Sequence, residues 1–195
     1  MKPANRIYRA TVLAILTAGT ALLAYLSHRY GGASGELQSL PTLLLWIALV
    51  SVAVMSPIPL LRRKVTIDLV PALDIGAVLV FGPVVACYIA VLSRVLAHLG
   101  DRWTGVTPAA MRVGTGLVTV GSAGLIYTVL GGRFGLELAS GGWPWGPVLA
   151  ALALYAGSKI ALDLVDARLS GEPAAHSIRY TLERVMPIDL ASAVF

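Results

Sequence analysis

Long apolar stretches recur along this chain at near-regular intervals, and that recurrence decides which solvent it can fold in. A bilayer core of about 30 Å needs roughly 20 apolar residues per helix. Stretches of that kind are expected as helices at roughly 7–27, 40–61, 66–81, 83–100, 109–130 and 147–166. Only 13% of the residues are charged, too few to cover a water-soluble domain of 195 residues. The expected fold is therefore all-α, a polytopic transmembrane bundle of about six helices occupying 1–184. A further apolar segment at 185–195 reads as an incomplete seventh span, because 11 residues at about 1.5 Å each cross only half the hydrocarbon. Either it packs re-entrantly against the bundle or, the preferred expectation, the chain is the front part of something longer.

Local signals punctuate these stretches. Thr107-Pro108 offers a capping hydroxyl ahead of a first-turn proline, and Gly146-Pro147 opens the sixth span similarly. Gly131-Gly132 closes the fifth. Phe81-Gly82-Pro83 leaves room only for a tight turn, so the third and fourth helices are expected as an antiparallel hairpin.

The lysines and arginines alternate sides. Lys2, Arg6 and Arg9, then Arg62, Arg63 and Lys64, then Arg102 and Arg112, then Arg168, Arg179 and Arg184 fall on one side, eleven of fifteen in all. Only Arg29 and Arg133 fall on the other, and Arg94 and Lys159 lie within spans. The positive-inside rule then makes the N-terminus cytoplasmic. The first apolar run is longer than the 7–15 residues typical of a signal-peptide core, so it is expected to stay as a span. The net charge of +5 does not indicate nucleic acid, because the basic residues form no stripe or patch. The lipid bilayer is the expected partner.

Asp74 is the sharpest point in the chain. A lone carboxylate mid-span costs about 2.5–3.5 kcal/mol on insertion scales. If Phe81 and Val84 face each other across the turn, Asp74 lies opposite Val91, one helical turn from Arg94, and an ion pair between them is expected. Its role stays open among a ligand or proton site, a pair that fixes hairpin register, and a protonated aspartate bonded to a carbonyl. Lys159, Asp163 and Asp166 share one face of the sixth helix, a candidate polar site or a set of interfacial charges. Ala153, Gly157 and Ala161 form a small-residue stripe on its opposite face. Ala10, Ala14 and Ala18 form another on the first helix, expected mainly to pack within the chain and otherwise to dock a partner subunit or a second copy.

No catalytic constellation is legible. His28, His98 and His176 are scattered, Cys87 is the single cysteine, and there is no metal-ligand spacing or Walker loop. Gly114-Thr115-Gly116 matches the start of a dinucleotide fingerprint but lies within an apolar helix with no strand before it. The expectation is a chain without an enzyme active site, metal or cofactor.

Pro57-Ile58-Pro59-Leu60 leads through a short polar stretch into Val65-Thr66-Ile67-Asp68-Leu69-Val70, followed by Ala72-Leu73-Asp74-Ile75-Gly76-Ala77-Val78-Leu79-Val80-Phe81-Gly82-Pro83. This passage resembles the N-terminal membrane region of bacterial HD-GYP and GGDEF signalling proteins. So do the helix ending in His98-Leu99-Gly100-Asp101 and the stretch from Leu154 to Leu169 with Gly171-Glu172-Pro173. The resemblance implies a sensor or anchoring module in a bacterial plasma membrane, preceding a cytoplasmic cyclic-di-GMP phosphodiesterase or cyclase domain. The chain itself has no His-Asp pair and no G-G-D-E-F string. A second resemblance, through mass and the Ala10/Ala14/Ala18 stripe, is to the substrate-binding subunits of energy-coupling-factor vitamin transporters. There Glu36, Arg133 and Glu137 are the few polar groups expected in the outer loops. A small structural subunit of a membrane complex is a third reading.

Overall fold

The computed structural model describes residues 3–30, 40–55, 58–60, 65–67, 69–100, 105–135, 137–138 and 144–170. Glu36, His176 and the 185–195 segment lie outside them. The architecture is a helical bundle with one small antiparallel ladder. In chain order come α1 (Pro3–Tyr30), α2 (Leu40–Met55), β1 (Ile58–Leu60), β2 (Val65–Ile67), α3 (Val70–Phe81), α4 (Pro83–Gly100), α5 (Val106–Val129) and α6 (Trp145–Ser170). By length and composition, Arg6–Tyr30, Val106–Val129 and Trp145–Leu169 are long and apolar enough to cross a membrane.

Two of the expected helices are shorter than the hydropathy reading makes them. The second stops at Met55 and the third starts at Val70, because Ile58, Pro59 and Leu60 pair with Ile67, Thr66 and Val65. Two features favour the ladder over helix. Pro59 breaks the α-helical hydrogen-bond pattern and is tolerated on an edge strand, and Val65-Thr66-Ile67 is a β-branched run. What remains of the third span is a helix of 12 residues, about 18 Å long. It does not need to cross lipid alone. Val70, Pro71, Asp74, Ile75, Ala77, Val78, Leu79 and Phe81 are all buried, enclosed by α2, α4, α5 and α6. A short apolar helix of that length belongs in a core.

The α3–α4 hairpin forms as its sequence requires. Gly82 takes φ = 83°, its amide donates to Val78 O at 2.9 Å, and Ala86 N returns to Gly82 O at 3.1 Å. A residue with a Cβ would pay for that left-handed turn. The first turn of α5 differs from expectation. Its N-cap is Gly105 without a side-chain cap, so Thr107 sits inside the helix and does not cap it.

α5 is the axis of the bundle, with α1, α4 and α6 packed along it. Its glycines make this possible. A Cβ on Gly114 would meet Ile15 at 3.0 Å, and one on Gly124 would meet Pro83 at 2.6 Å. Backbones approach where small residues let them, which is how helices associate when lipid removes the hydrophobic drive between them. The outer faces are apolar: Leu13, Leu44, Leu45, Leu49, Val52, Leu92, Leu96 and Leu149 are exposed. A water-soluble monomer rarely leaves so much apolar surface uncovered.

Candidate buried ion-pair site

The enclosed α3 carries Asp74 into the middle of the bundle, where its side chain is 1% exposed. Arg94, on the returning helix α4, brings Nη2 to 2.7 Å from Oδ2, with Nη1 3.5 Å from Oδ1. The arginine is 9% exposed, and Nη1 also donates to Ala90 O at 3.1 Å. The hairpin register inferred from the sequence thus places the two charges within reach.

A third member comes from across the chain. Tyr155 on α6 is buried, and its hydroxyl donates to Asp74 Oδ2 at 2.8 Å. Oδ2 therefore accepts from both α4 and α6, so one carboxylate ties three helices together. α5 contributes by what it lacks. A Cβ on Gly116 would lie 2.6 Å from Arg94 Cζ and 2.7 Å from Cδ, so the guanidinium crosses α5 over bare backbone. The charges of the pair offset each other, and the tyrosine hydroxyl fills one further acceptor position. Such an arrangement answers the rule that a buried charge must be paired and hydrogen-bonded.

Neither Tyr155 nor Gly116 is singled out by the sequence reading. Tyr155 passes there as one more residue of an apolar run, and Gly116 as half of a weak nucleotide fingerprint. A usable signal existed for the tyrosine: it stands four residues before Lys159, on the same helical face as Lys159, Asp163 and Asp166. Those residues continue down α6. Lys159 Nζ lies 3.3 Å from Asp163 Oδ2, and Asp166 Oδ1 accepts from the Tyr8 hydroxyl on α1 at 3.1 Å. Lys159 and Asp163 form their own pair, separate from Asp74 and Arg94. Around the buried site the remaining polar groups are satisfied locally: Trp46 Nε1 donates to Leu73 O at 3.2 Å and Ser51 Oγ to Ile47 O at 2.6 Å.

The small-residue stripes behave differently from expectation. Ala10, Ala14 and Ala18 are exposed and do not pack within the chain. α1 instead turns Val12, Ile15, Gly19 and Leu26 inward, with Gly19 pressed against Leu117 Cβ. The physical reason is contact area. That face offers three large side chains to α5 and a glycine for close approach, whereas the alanines offer little. Ala153, Gly157 and Ala161 are likewise exposed, and a Cβ on Gly157 would meet nothing within 4 Å. Arg133 and Glu137 are exposed near the turn of the α3–α4 hairpin, where Gly135 N donates to Leu79 O at 2.9 Å.

Chemically, the site can hold a charge and link helices. Among the described residues no group of three His, Cys, Asp or Glu side chains is arranged to hold a metal ion. No protein-family model matches the chain, and comparison with curated proteins gives no significant match.

Proposed function

We propose that this chain is the membrane-embedded sensor or anchoring region of a bacterial signalling protein and performs no catalysis of its own. It sits in the plasma (inner) membrane with its N-terminus in the cytoplasm. The distribution of lysine and arginine supports that orientation, and the resemblance of the Pro57–Pro83 passage to the membrane regions of HD-GYP and GGDEF proteins supports the role. The observation that carries the reading is the Asp74–Arg94–Tyr155 cluster. A passive anchor gains nothing from a charge pair inside its core, and intramembrane ionisable residues ordinarily mark function. Here the pair connects the α3–α4 hairpin to α6, the helix that leads into the C-terminal residues. A ligand or a change in the bilayer that loosens the cluster shifts α6, and the shift passes to a cytoplasmic domain beyond Arg184.

The test fuses a diguanylate cyclase domain after Phe195 and measures cellular cyclic-di-GMP at matched membrane levels. Asp74→Asn, Arg94→Gln and Tyr155→Phe are each expected to change the output several-fold. An output that ignores all three refutes the reading. A second reading, a substrate-binding subunit of an energy-coupling-factor transporter, is favoured by one observation: Ala10, Ala14 and Ala18 are exposed on α1, open to close approach by another helix. That reading expects a tagged chain to co-purify from its native membrane with an ATP-driven partner, and Ala14→Trp to release it.

A further inference from the structure

The helices share one level at the buried cluster and differ in how far they run from it. Arg94 on α4 lies against Gly116 on α5, and Asp74 on α3 joins the arginine to Tyr155 on α6. Gly19 on α1 is pressed against Leu117 of α5, and Ser51 on α2 donates to Ser93 O at 3.4 Å. Gly19, Ser51, Asp74, Arg94, Gly116 and Tyr155 therefore mark one level through the bundle.

Toward the Arg133 side, α1, α2, α4 and α6 end nearly flush. Tyr30, Leu40, Pro83 and Trp145 stand ten or eleven residues from the shared level, about 15–17 Å at the α-helical rise. Toward the arginine-rich side the ends diverge. α2 stops at Met55, α3 begins at Val70 and α4 stops at Gly100, only four to six residues away, about 6–9 Å. α1 continues to Arg6 and α6 to Leu169, thirteen or fourteen residues away, about 20 Å. The bundle is stepped.

Both sides of the step present apolar surface. Leu44, Leu49 and Met55 are exposed on α2, and Leu92, Leu96 and Leu99 on α4. On α1 the exposed face stays uncharged through Ala14 to Ala10, and Arg9 comes next. Ala10 to Tyr30 spans about 30 Å, the thickness of an ordinary hydrocarbon core. The 16 residues of α2 span about 24 Å, which is about 6 Å too short. The ladder that follows α2 cannot make up the difference. Among the described residues its two strands pair only with each other, and unpaired strand edges do not occur in hydrocarbon. Charge agrees with that boundary. In the sequence Arg62, Arg63 and Lys64 join the two strands, and Arg102 comes two residues after α4. Anionic headgroups attract basic segments of this kind.

We infer that the bilayer is thinned beside α2 and α4, to about 24 Å, in the leaflet of the arginine-rich side only. The occupant of the step is phospholipid, with its headgroups drawn inward to the level of Met55 and Leu99. A helix shorter than the surrounding hydrocarbon pulls the bilayer in around it. The inference goes beyond the signalling reading and holds whether the chain signals or transports, because it concerns the surrounding lipid.

Met55 on α2 and Ala14 on α1 make a matched pair for testing it. Both are exposed, and both lie four or five residues from the shared level on its arginine-rich side. Single cysteines are placed in a Cys87→Ala background, and each variant in lipid nanodiscs is treated with a charged thiol reagent. Met55→Cys and Leu99→Cys are expected to react at least tenfold faster than Ala14→Cys. Equally slow rates would mean a level bilayer, or a second copy or partner protein covering the step, and would overturn the inference. Equally fast rates would do the same, because the boundary would then lie at one depth all round. Since a variant can misfold, hydroxyl-radical labelling of the unaltered protein in nanodiscs provides a second measurement. Met55 is expected to be oxidised at least tenfold more than Tyr88, which is exposed on α4 on the other side of the shared level. A protected Met55 would sink the idea.

Discussion

Gly116→Ala is the smallest change that tests whether the ion pair is the fastener of this bundle. The new methyl would sit 2.6 Å from Arg94 Cζ, closer than any real contact, so the guanidinium must leave its path across α5. With Arg94 displaced, Asp74 keeps only the Tyr155 hydroxyl. Breaking one side of a buried pair costs about 3–5 kcal/mol. Against this, alanine is favoured over glycine inside a helix by roughly 0.5–1 kcal/mol. The net loss is therefore about 2–4 kcal/mol. A second background separates the arginine clash from every other effect of the methyl. In Asp74→Asn/Arg94→Ala every side-chain atom that the new methyl would meet is gone, and only the helix term remains. There the same methyl should be neutral or stabilise by up to about 1 kcal/mol. The assay is equilibrium unfolding in mixed micelles followed by tryptophan fluorescence, with the four variants read as a cycle. A cost that is the same in both backgrounds would refute the reasoning, because the methyl would then be clashing with something other than the arginine.

Three further outcomes follow from the same geometry. Tyr155→Phe removes one hydrogen bond to a carboxylate and should lose about 1.5–3 kcal/mol in that unfolding assay, with much less lost when Asp74→Asn is already present. Lys159→Met or Asp163→Asn breaks a partly exposed pair one turn apart and should change stability by no more than about 0.5 kcal/mol. Gly82→Ala must hold φ = 83° with a Cβ and should destabilise the α3–α4 hairpin by about 1–2 kcal/mol, read in the same titration.

How much of this was legible beforehand varies with the kind of signal. The long helices were, since α1, α5 and α6 each follow a long, predominantly apolar run. The Asp74–Arg94 pair was reachable too, because Phe81-Gly82-Pro83 fixes the turn and a tight turn fixes register. Tyr155 was not reachable the same way. It lies 81 residues from Asp74, and nothing local says which helix α6 will face. The ladder of Ile58–Leu60 with Val65–Ile67 was hidden by hydropathy, which counts apolar residues and is blind to how proline and β-branching divide them between helix and strand. The Ala10/Ala14/Ala18 stripe is legible as a pattern, but packing within the chain, its main expectation, is not what the structure shows. Spacing shows that residues share a face; only the competing face, with Val12, Ile15 and Leu26, decides which one turns inward.

The enclosure of α3 has a consequence for how the protein is made. A helix of about 18 Å offers a translocation channel too little apolar length to release as an independent span. Arg94 follows Asp74 by only 20 residues, so the hairpin can enter already neutralised. Tyr155 emerges 61 residues after Arg94, about 3–12 s later at ordinary synthesis rates. Until then the nascent chain carries an incompletely bonded carboxylate, and the arrival of α6 is the step that completes its coordination.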